Sequence, residues 1–132
     1  MNAVVGERFD NVFLTPQAYK AFLQTGTWPD KTMFILEVRS ATTKGFINGG
    51  GHYQEDVVGL EAHVRDQTRF PSKWAFFELG TSAPTAKPLA ANSDCQTCHT
   101  KSGAVDDTFV QFYPTLLPVA KAKGTFKTTY DK

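Results

Sequence analysis

Both cysteines of this 132-residue chain lie within one pentapeptide, Cys95-Gln96-Thr97-Cys98-His99. Two thiols so close in sequence cannot join distant parts of a chain, so no long-range disulfide holds this fold together. A hydrophobic core must do so, and the length suits a single domain spanning residues 1–132. The pentapeptide is a local device, and such a pair serves as a redox dithiol, as half of a metal site, or in haem attachment.

The histidine directly after the second cysteine favours haem attachment. C-x-x-C-H is the pattern of c-type haem proteins. Two thiols one helical turn apart can reach the two vinyl groups of one porphyrin, and the adjacent imidazole can reach its iron. We therefore predict one covalently attached haem c, held by Cys95 and Cys98, with His99 as the proximal ligand of the iron.

Other interpretations of the motif fit the sequence less well. A thioredoxin-like dithiol usually lies in a βαβ unit, whereas a Pro- and Ala-rich stretch precedes this motif. A zinc site would have to recruit His52 and His63, which lie far upstream without the paired spacing of zinc modules. A disulfide between Cys95 and Cys98 would leave His99 without a role.

Composition excludes several classes of partner. The chain has 14 Lys and Arg residues against 13 Asp and Glu residues, so its charge gives no reason to expect nucleic acid or an anionic membrane. No apolar run is long enough to span a bilayer. The first seven residues lack the basic and apolar regions of a signal peptide. The chain is therefore either cytoplasmic or a mature form with an added Met.

Local patterns predict a helix near the start of the chain and strands after it. Thr15 suits an N-cap, Pro16 the first helical turn and Gly26 the end of the helix. Segments rich in β-branched and aromatic residues, bounded by turn residues, predict strands. They are Thr32–Arg39, a segment around Gly45–Ile47, Asp56–Arg65 and Lys73–Leu79.

The C-terminal part of the chain predicts more helices. Ser93 or Asp94 can cap a short helix that carries the cysteine motif. Two further helices are predicted at Asp107–Tyr113 and at Thr115–Lys123, the second ended by Gly124. The predicted fold class is α+β: a predominantly antiparallel β-sheet with flanking helices, and the haem motif on a C-terminal helix.

The residues available for the second axial position of the iron are few. Residues 100–132 contain neither Met nor His, whereas a small electron-transfer cytochrome closes this position with such a residue downstream. An iron with an open distal face is therefore predicted. Met33 is expected in the core, and His63 is expected in solvent because it alternates with charged residues. His52 is the best remaining candidate, although a loop histidine without iron contact is expected.

The walls of the haem pocket are predicted to be aromatic. Phe46 and Phe76 are the first candidates to cap the distal face, followed by Phe77 and Tyr53. Such walls would admit NO or CO, exclude water and offer few hydrogen bonds to dioxygen. Lys101, just past the motif, is near enough to reach the proximal side, although a solvated lysine is the favoured interpretation.

Several separate motifs occur in order between Trp28 and Pro114. They are Trp28-Pro29-Asp30, Met33-Phe34, Glu37-Val38-Arg39, Gly59 to Asp66, Arg69-Phe70-Pro71, Trp74 to Phe77, the cysteine motif, Gly103 to Asp106 and Phe109 to Pro114. Together they resemble the cytochrome P-460 / cytochrome c′-β family. The resemblance implies a β-sheet-dominated homodimer in the bacterial periplasm, with a histidine-ligated haem.

The two branches of that family differ in chemistry. The resemblance implies, for the P-460 branch, a lysine cross-linked to the porphyrin, a distal carboxylate and oxidation of hydroxylamine. For the c′-β branch it implies phenylalanine caps and binding of NO and other diatomic gases. Just before Tyr53, where the first branch has its lysine, this chain has Gly50, Gly51 and His52. We therefore expect the c′-β branch.

Three functions remain open from the sequence. The favoured one is a non-enzymatic gas-binding cytochrome whose partner is a small diatomic ligand, NO or CO. The alternative is a hydroxylamine-oxidising enzyme in which Lys44 modifies the haem and Glu78 moves protons, although a strand-end Glu78 is expected in solvent. Electron transfer with His52 as sixth ligand comes third, and no redox partner is indicated. Because bacteria make thioether bonds outside the cytoplasm, a signal peptide is expected to have been removed.

Overall fold

The computed structural model describes residues 7–45, 49–80 and 85–127. Four strands form one antiparallel sheet in the order β1-β2-β3-β4, and helices flank it. The elements are β1 Arg8–Phe13, α1 Pro16–Thr25, β2 Met33–Thr42, β3 Tyr53–Arg65, β4 Trp74–Glu78, α2 Asp94–Ser102, a short 3-10 helix Val110–Phe112 and α3 Leu117–Lys123. The predicted α+β class with an antiparallel sheet is confirmed.

Helix α1 begins and ends where its capping residues predict. The Thr15 hydroxyl accepts a hydrogen bond from the Ala18 amide at 3.2 Å, which satisfies one amide of the first turn. Gly26 ends the helix in the left-handed region, with φ 74°. A Cβ at Gly26 would lie 2.7 Å from the Cβ of Lys123, so the absence of a side chain lets the ends of α1 and α3 approach.

The C-terminal segments differ in part from prediction. Ser93 caps α2, and Gly124 ends α3 with φ 72°, as predicted. The predicted helix Asp107–Tyr113 is wrong, since only the 3-10 helix forms there. Asp106 and Asp107 have positive φ values of 49° and 60°, a conformation that an α-helix cannot contain. The chain turns there instead, and this turn becomes part of the candidate site.

The strands also differ in part from prediction. Strand β1 has no counterpart among the predicted strands, because its alternation of Phe9, Asp10, Asn11 and Val12 is weakly amphipathic. It forms by pairing along β2 from Arg8–Ser40 to Phe13–Ile35. A strand was predicted around Gly45–Ile47, but Gly45 is not part of a strand in the structure. The rest of that segment lies outside the described residues.

The core lies between one face of the sheet and the flanking helices. This inner face carries alternate residues of each strand, including Val12, Leu36, His63 and Phe76. The buried cluster against it consists of Phe22, Trp28, Trp74, Val105, Val110, Leu116 and Ala120. Because this cluster draws on α1, the 3-10 helix and α3, the C-terminal segments are held over the inner face. The opposite, outer face of the sheet carries Met33 and Leu60, which are exposed.

Candidate functional site

An aromatic row crosses three strands on the inner face of the sheet. Phe34 of β2 and Phe76 of β4 lie directly opposite His63 of β3 in the ladder. Residues paired this way present their side chains on the same face. The rings of His63 and Phe76 stack, with centroids 3.9 Å apart and planes 12° apart. The row thus forms a continuous aromatic floor below α2.

Helix α2 brings His99 of the cysteine motif onto this floor. The His99 ring lies 4.7 Å from the Phe76 ring and 4.9 Å from the His63 ring. On another side it contacts the ring of Phe109 at 4.2 Å. The two histidines, more than thirty positions apart in sequence, therefore lie in ring contact within an aromatic surrounding.

A backbone carbonyl orients the His99 ring. Its Nδ1 lies 2.8 Å from the carbonyl oxygen of Asp107. Since a carbonyl only accepts, Nδ1 donates and Nε2 remains as the nitrogen that can bind a metal. Burial lowers the pKa of His99, partly opposed by this hydrogen bond. The ring is thus held in the neutral tautomer that metal ligation requires.

The turn that presents this carbonyl is closely packed. A Cβ at Gly103 would lie within 2.6 to 2.8 Å of backbone atoms of His99, Asp107 and Thr108. Arg65 of β3 forms an ion pair with Asp106 and lies over the Trp74 ring, 5.7 Å from its centroid. The turn is therefore fastened to the sheet as well as to α2.

A cavity of about 820 Å³ opens between the inner face and the C-terminal segments. His63 and His99 both line it. The other lining residues are mostly aromatic or aliphatic, including Trp28, Phe34, Phe76, Phe109, Phe112, Tyr113, Leu36 and Leu116, with the carboxylates of Asp10 and Glu61. A concave, mainly apolar space with few polar groups is typical of a cofactor or small-ligand site.

The prediction that His63 lies in solvent is wrong. Only 7% of the residue is exposed, and its Nε2 is buried without a hydrogen-bond partner among the described residues. Burial, with a smaller effect of nearby His99, lowers the pKa of His63 to about 2. Its alternation with Glu61 and Arg65 does define one face of β3, but that face lies over the core rather than in water.

The two thiols are free, so the disulfide interpretation does not describe this structure. Both lie on α2, Cys95 half-buried and Cys98 exposed. Burial, with the nearby carboxylates of Glu61 and Glu78, raises the pKa of the Cys95 thiol. The thiols are accessible on the helix that carries His99, as attachment of a porphyrin requires.

A zinc site that uses both upstream histidines does not form. His52 lies just before β3 and His63 near its other end, roughly 35 Å apart at the rise of a strand. The Nε2 atom of His52 instead contacts the carboxylate of Glu7, and the His52 side chain is 41% exposed. Among the described residues, no group of three metal-binding side chains comes together. The structure therefore does not bring His52 to the cavity as a sixth ligand either.

The predicted aromatic caps are placed differently from one another. Phe76 lines the cavity. Phe77 is on the opposite face of β4 and contacts Phe70, with ring centroids 6.0 Å apart. Tyr53 begins β3 at its far end and is 41% exposed. Phe46 lies outside the described residues. Of the three aromatic candidates that the structure describes, Phe76 lies beside His99, whereas Phe77 and Tyr53 lie away from it.

The predicted polar residues lie at the periphery. Lys44 is exposed beyond the end of β2, and Lys101 is exposed on α2. Glu78 is exposed, as expected, but it lies directly opposite Glu61 in the ladder. Glu61, which was not predicted as a site residue, lines the cavity. Glu61 alternates with His63 along the sequence, and this alternation indicates that both side chains lie on the same face of β3.

The residues present fit a haem in their chemistry. They comprise two free thiols on one helix, a neutral histidine with Nε2 available, an aromatic cavity and a second buried imidazole without a partner. The rings of His63 and His99 are in contact, with centroids 4.9 Å apart, which leaves no room for a porphyrin between them.

The fold and the site together define the class of haem-binding cytochromes. A family model, described as Cytochrome P460, matches residues 2–110, and the chain belongs to the cytochrome P460 family. Haem and iron are accordingly its cofactor. A search of curated proteins finds no match. Within the described residues, no helix has the length and hydrophobicity needed to cross a membrane.

Proposed function

We propose that this chain is a c-type mono-haem cytochrome that binds NO and other diatomic gases at a five-coordinate iron. Cys95 and Cys98 form the thioether bonds, and His99 binds the iron through Nε2. The observation that carries the proposal is the contact of His99 Nδ1 with the Asp107 carbonyl at 2.8 Å, beside an aromatic cavity. That contact leaves one nitrogen for the metal and orients it.

The cofactor and the side chains that line the cavity make different contributions to ligand binding. When bound, haem iron would supply the reversible binding of a diatomic ligand. The side chains of Phe34, Phe76 and Phe109 exclude water from this region and limit the size of what enters. The Asp107 carbonyl holds the His99 ring and increases the basicity of its free nitrogen.

The position of Lys44 supports gas binding over hydroxylamine oxidation. The cross-link of the P-460 branch requires a lysine at the porphyrin edge. Lys44 is exposed and lies ten positions after Phe34, roughly 30 Å along an extended chain. A porphyrin above the aromatic row is out of its reach.

One observation keeps the enzyme as a second candidate. Glu61 lines the cavity two positions from His63, which is where a carboxylate that moves protons would have to lie. In this second proposal Glu61, rather than Glu78, serves hydroxylamine oxidation. Replacing Glu61 with Gln would abolish hydroxylamine oxidation if that activity exists, with Glu78→Gln as the exposed control.

A mass measurement and a spectrum test the two candidates. We expect an intact mass equal to chain plus one haem, an ordinary ferrous Soret band of five-coordinate type, and changes in that band on adding NO or CO. A strongly red-shifted ferrous Soret band, together with a cross-linked peptide containing Lys44, would contradict the gas-binding proposal and support the hydroxylamine-oxidising enzyme. A haem that is lost in denaturant would contradict covalent attachment.

We also propose a periplasmic homodimer that pairs through the outer face of the sheet. Apolar side chains of Phe13, Met33, Val58 and Leu60 are exposed on this face, Val58 to 62%. A second copy of the chain would cover them, as large exposed apolar patches commonly require. Sedimentation should give twice the chain mass, and Val58→Glu should give the monomer; a wild-type monomer would contradict the dimer. Detection of the holoprotein in a periplasmic fraction tests the location.

A further inference from the structure

Arg65 is a largely buried cation on the inner face of the sheet, and the proposed gas-binding cavity does not itself use it. It is the last residue of β3, and only 12% of its side chain is exposed. It lies opposite Trp74 in the ladder, and its guanidinium carbon is 5.7 Å from the centroid of the Trp74 ring. Arginine is rarely buried unless an opposite charge pairs with it. The charge that pairs with it here is the carboxylate of Asp106.

Asp106 belongs to the tight turn that orients the His99 ring. The amide of Thr108 donates to the carbonyl of Val105 at 2.8 Å, so Asp106 and Asp107 are the two central residues of the turn. Both have positive φ, 49° and 60°, which is the pattern of a type I′ turn. Such turns commonly contain glycine, which adopts positive φ without steric cost. With two aspartates instead, contacts outside the turn have to stabilise it.

The sheet and helix α2 both provide such contacts. From the sheet, Arg65 pairs with the carboxylate of Asp106. From α2, two side chains donate to the carboxylate of Asp107, each at 3.4 Å. The carbonyl of the same Asp107 lies 2.8 Å from Nδ1 of His99. The group that orients the His99 ring is therefore part of a turn that joins β3 to α2, and Arg65 provides an ionic contact on the β3 side.

We propose that Arg65 is a positioning residue for the iron ligand: through Asp106 it holds the Asp107 carbonyl at Nδ1 of His99. This inference rests on the proposed function, because it assumes that His99 binds haem iron. A carbonyl that accepts from Nδ1 makes the other imidazole nitrogen more basic. A more basic ligand binds iron more strongly and stabilises its ferric state. The ion pair of Arg65 with Asp106 then tunes the iron without contacting the cofactor.

A direct effect of the Arg65 charge on the iron would have the opposite sign. Removing a nearby cation favours the more positive ferric state, and so lowers the reduction potential. Loss of the hydrogen bond to Nδ1 makes His99 a weaker donor, and so raises the potential. With a positioning role, Arg65→Met and Asp106→Asn shift the potential in the same direction. With a direct charge effect, they shift it in opposite directions.

The test compares these two variants, Arg65→Lys and the double variant Arg65→Met/Asp106→Asn with the wild-type holoprotein. Methionine keeps a long unbranched side chain against Trp74, and asparagine keeps the shape of aspartate and tolerates positive φ. Arg69→Met is the matched control, because Arg69 is exposed and lies over the Phe70 ring at 5.0 Å. The readouts are the iron–histidine stretching frequency of the ferrous protein, measured by resonance Raman spectroscopy, and the reduction potential.

We expect the iron–histidine frequency to fall and the potential to rise in both Arg65→Met and Asp106→Asn. Arg65→Lys keeps the charge and should restore part of both shifts, and Arg69→Met should leave both at wild-type values. The double variant should show the same two shifts, no larger than those of a single variant, because the two residues act through one contact. It leaves neither partner of the pair without its counter-charge, so it tests the proposal even if a single variant does not fold.

Two results would overturn the proposal and leave gas binding intact. One is a wild-type iron–histidine frequency in both Arg65→Met and the double variant. The other is a pair of opposite potential shifts in the single variants with a wild-type potential in the double variant, which would assign Arg65 a direct charge effect. A six-coordinate ferrous wild type would instead contradict the proposed function, and the potentials of the same variants would still decide the role of Arg65.

Discussion

Gly103→Ala tests whether the turn behind His99 is as closely packed as the structure indicates. Gly103 is buried and ends α2, with φ −68° and ψ 128°. Any L-residue adopts these angles, so alanine carries no backbone strain here. By restricting the unfolded chain it would even stabilise the protein by about 0.4–1 kcal/mol if space allowed. Any loss of stability must therefore come from contacts of the new methyl group.

The contacts of the new methyl group predict a decrease in the free energy of unfolding. The added Cβ would lie 2.6 Å from the His99 carbonyl oxygen, 2.7 Å from the Asp107 carbonyl carbon and 2.8 Å from the Thr108 nitrogen. All three are backbone atoms, so relief requires movement of α2 or of the turn. Overpacking of this kind costs about 1–3 kcal/mol. The net expected change is a decrease of about 1–2 kcal/mol in the free energy of unfolding.

Urea denaturation of the haem-free chain measures the free energy of unfolding without interference from the cofactor. If the same chain is unfolded by heat, a decrease of that size would lower Tm by roughly 3–10 °C. Gly50→Ala is the matched control, because its Cβ would have no heavy atom within 4 Å. In the holoprotein, displacement of the Asp107 carbonyl from His99 should also change the reduction potential. Gly103→Ala as stable as Gly50→Ala would refute the reasoning.

Three further substitutions test individual contacts by urea denaturation. Thr108→Val removes the acceptor of the buried Trp28 Nε1–H, a 2.9 Å bond, and should cost about 1–3 kcal/mol; an unchanged midpoint would contradict this. Thr15→Ala removes the cap of α1 and should cost about 1 kcal/mol, and a loss below a few tenths would show that the cap is unimportant. The Asp66 carboxylate accepts a hydrogen bond from Lys31 at 2.6 Å, which lowers its pKa. The stabilisation from the ionised Asp66 carboxylate is therefore fully present above the pKa of Asp66 in the unfolded chain, about 4. It is lost as pH falls through the lower pKa of Asp66 in the folded protein. Asp66→Asn should accordingly destabilise at pH 7 and less at pH 3, and an equal loss at both would argue against the charge.

Features set by neighbouring residues were predicted well. The Thr15 cap, the Gly26 end of α1 and the Ser93 cap of α2 depend on a few adjacent residues, and all three are found in the structure. Strand β3 was also recognised from its own residues. Strand β1 was not, because its residues favour a strand only weakly and pairing with β2 decides its conformation.

The error at His63 has a definite physical cause. One face of β3 carries His63, Glu61 and Arg65, and the other carries Leu60 and Ala62, so hydropathy alone assigns the first face to solvent. The structure covers the first face and leaves Leu60 exposed. The cover comes from segments more than forty positions later, such as Val110 and Leu116. No pattern within β3 contains that information.

The anchor of the site follows from Cys95 to His99 alone, because C-x-x-C-H spacing on a capped helix is a local property. The sequence also shows that no Met or His follows the motif, so a histidine beside His99 can come only from upstream. The tertiary structure shows that this neighbour is His63 rather than His52. Sheet register sets His63 between Phe34 and Phe76, and packing of the C-terminal segments brings His99 onto it. Both are long-range pairings, whose outcome depends on the burial of the whole core rather than on neighbouring residues.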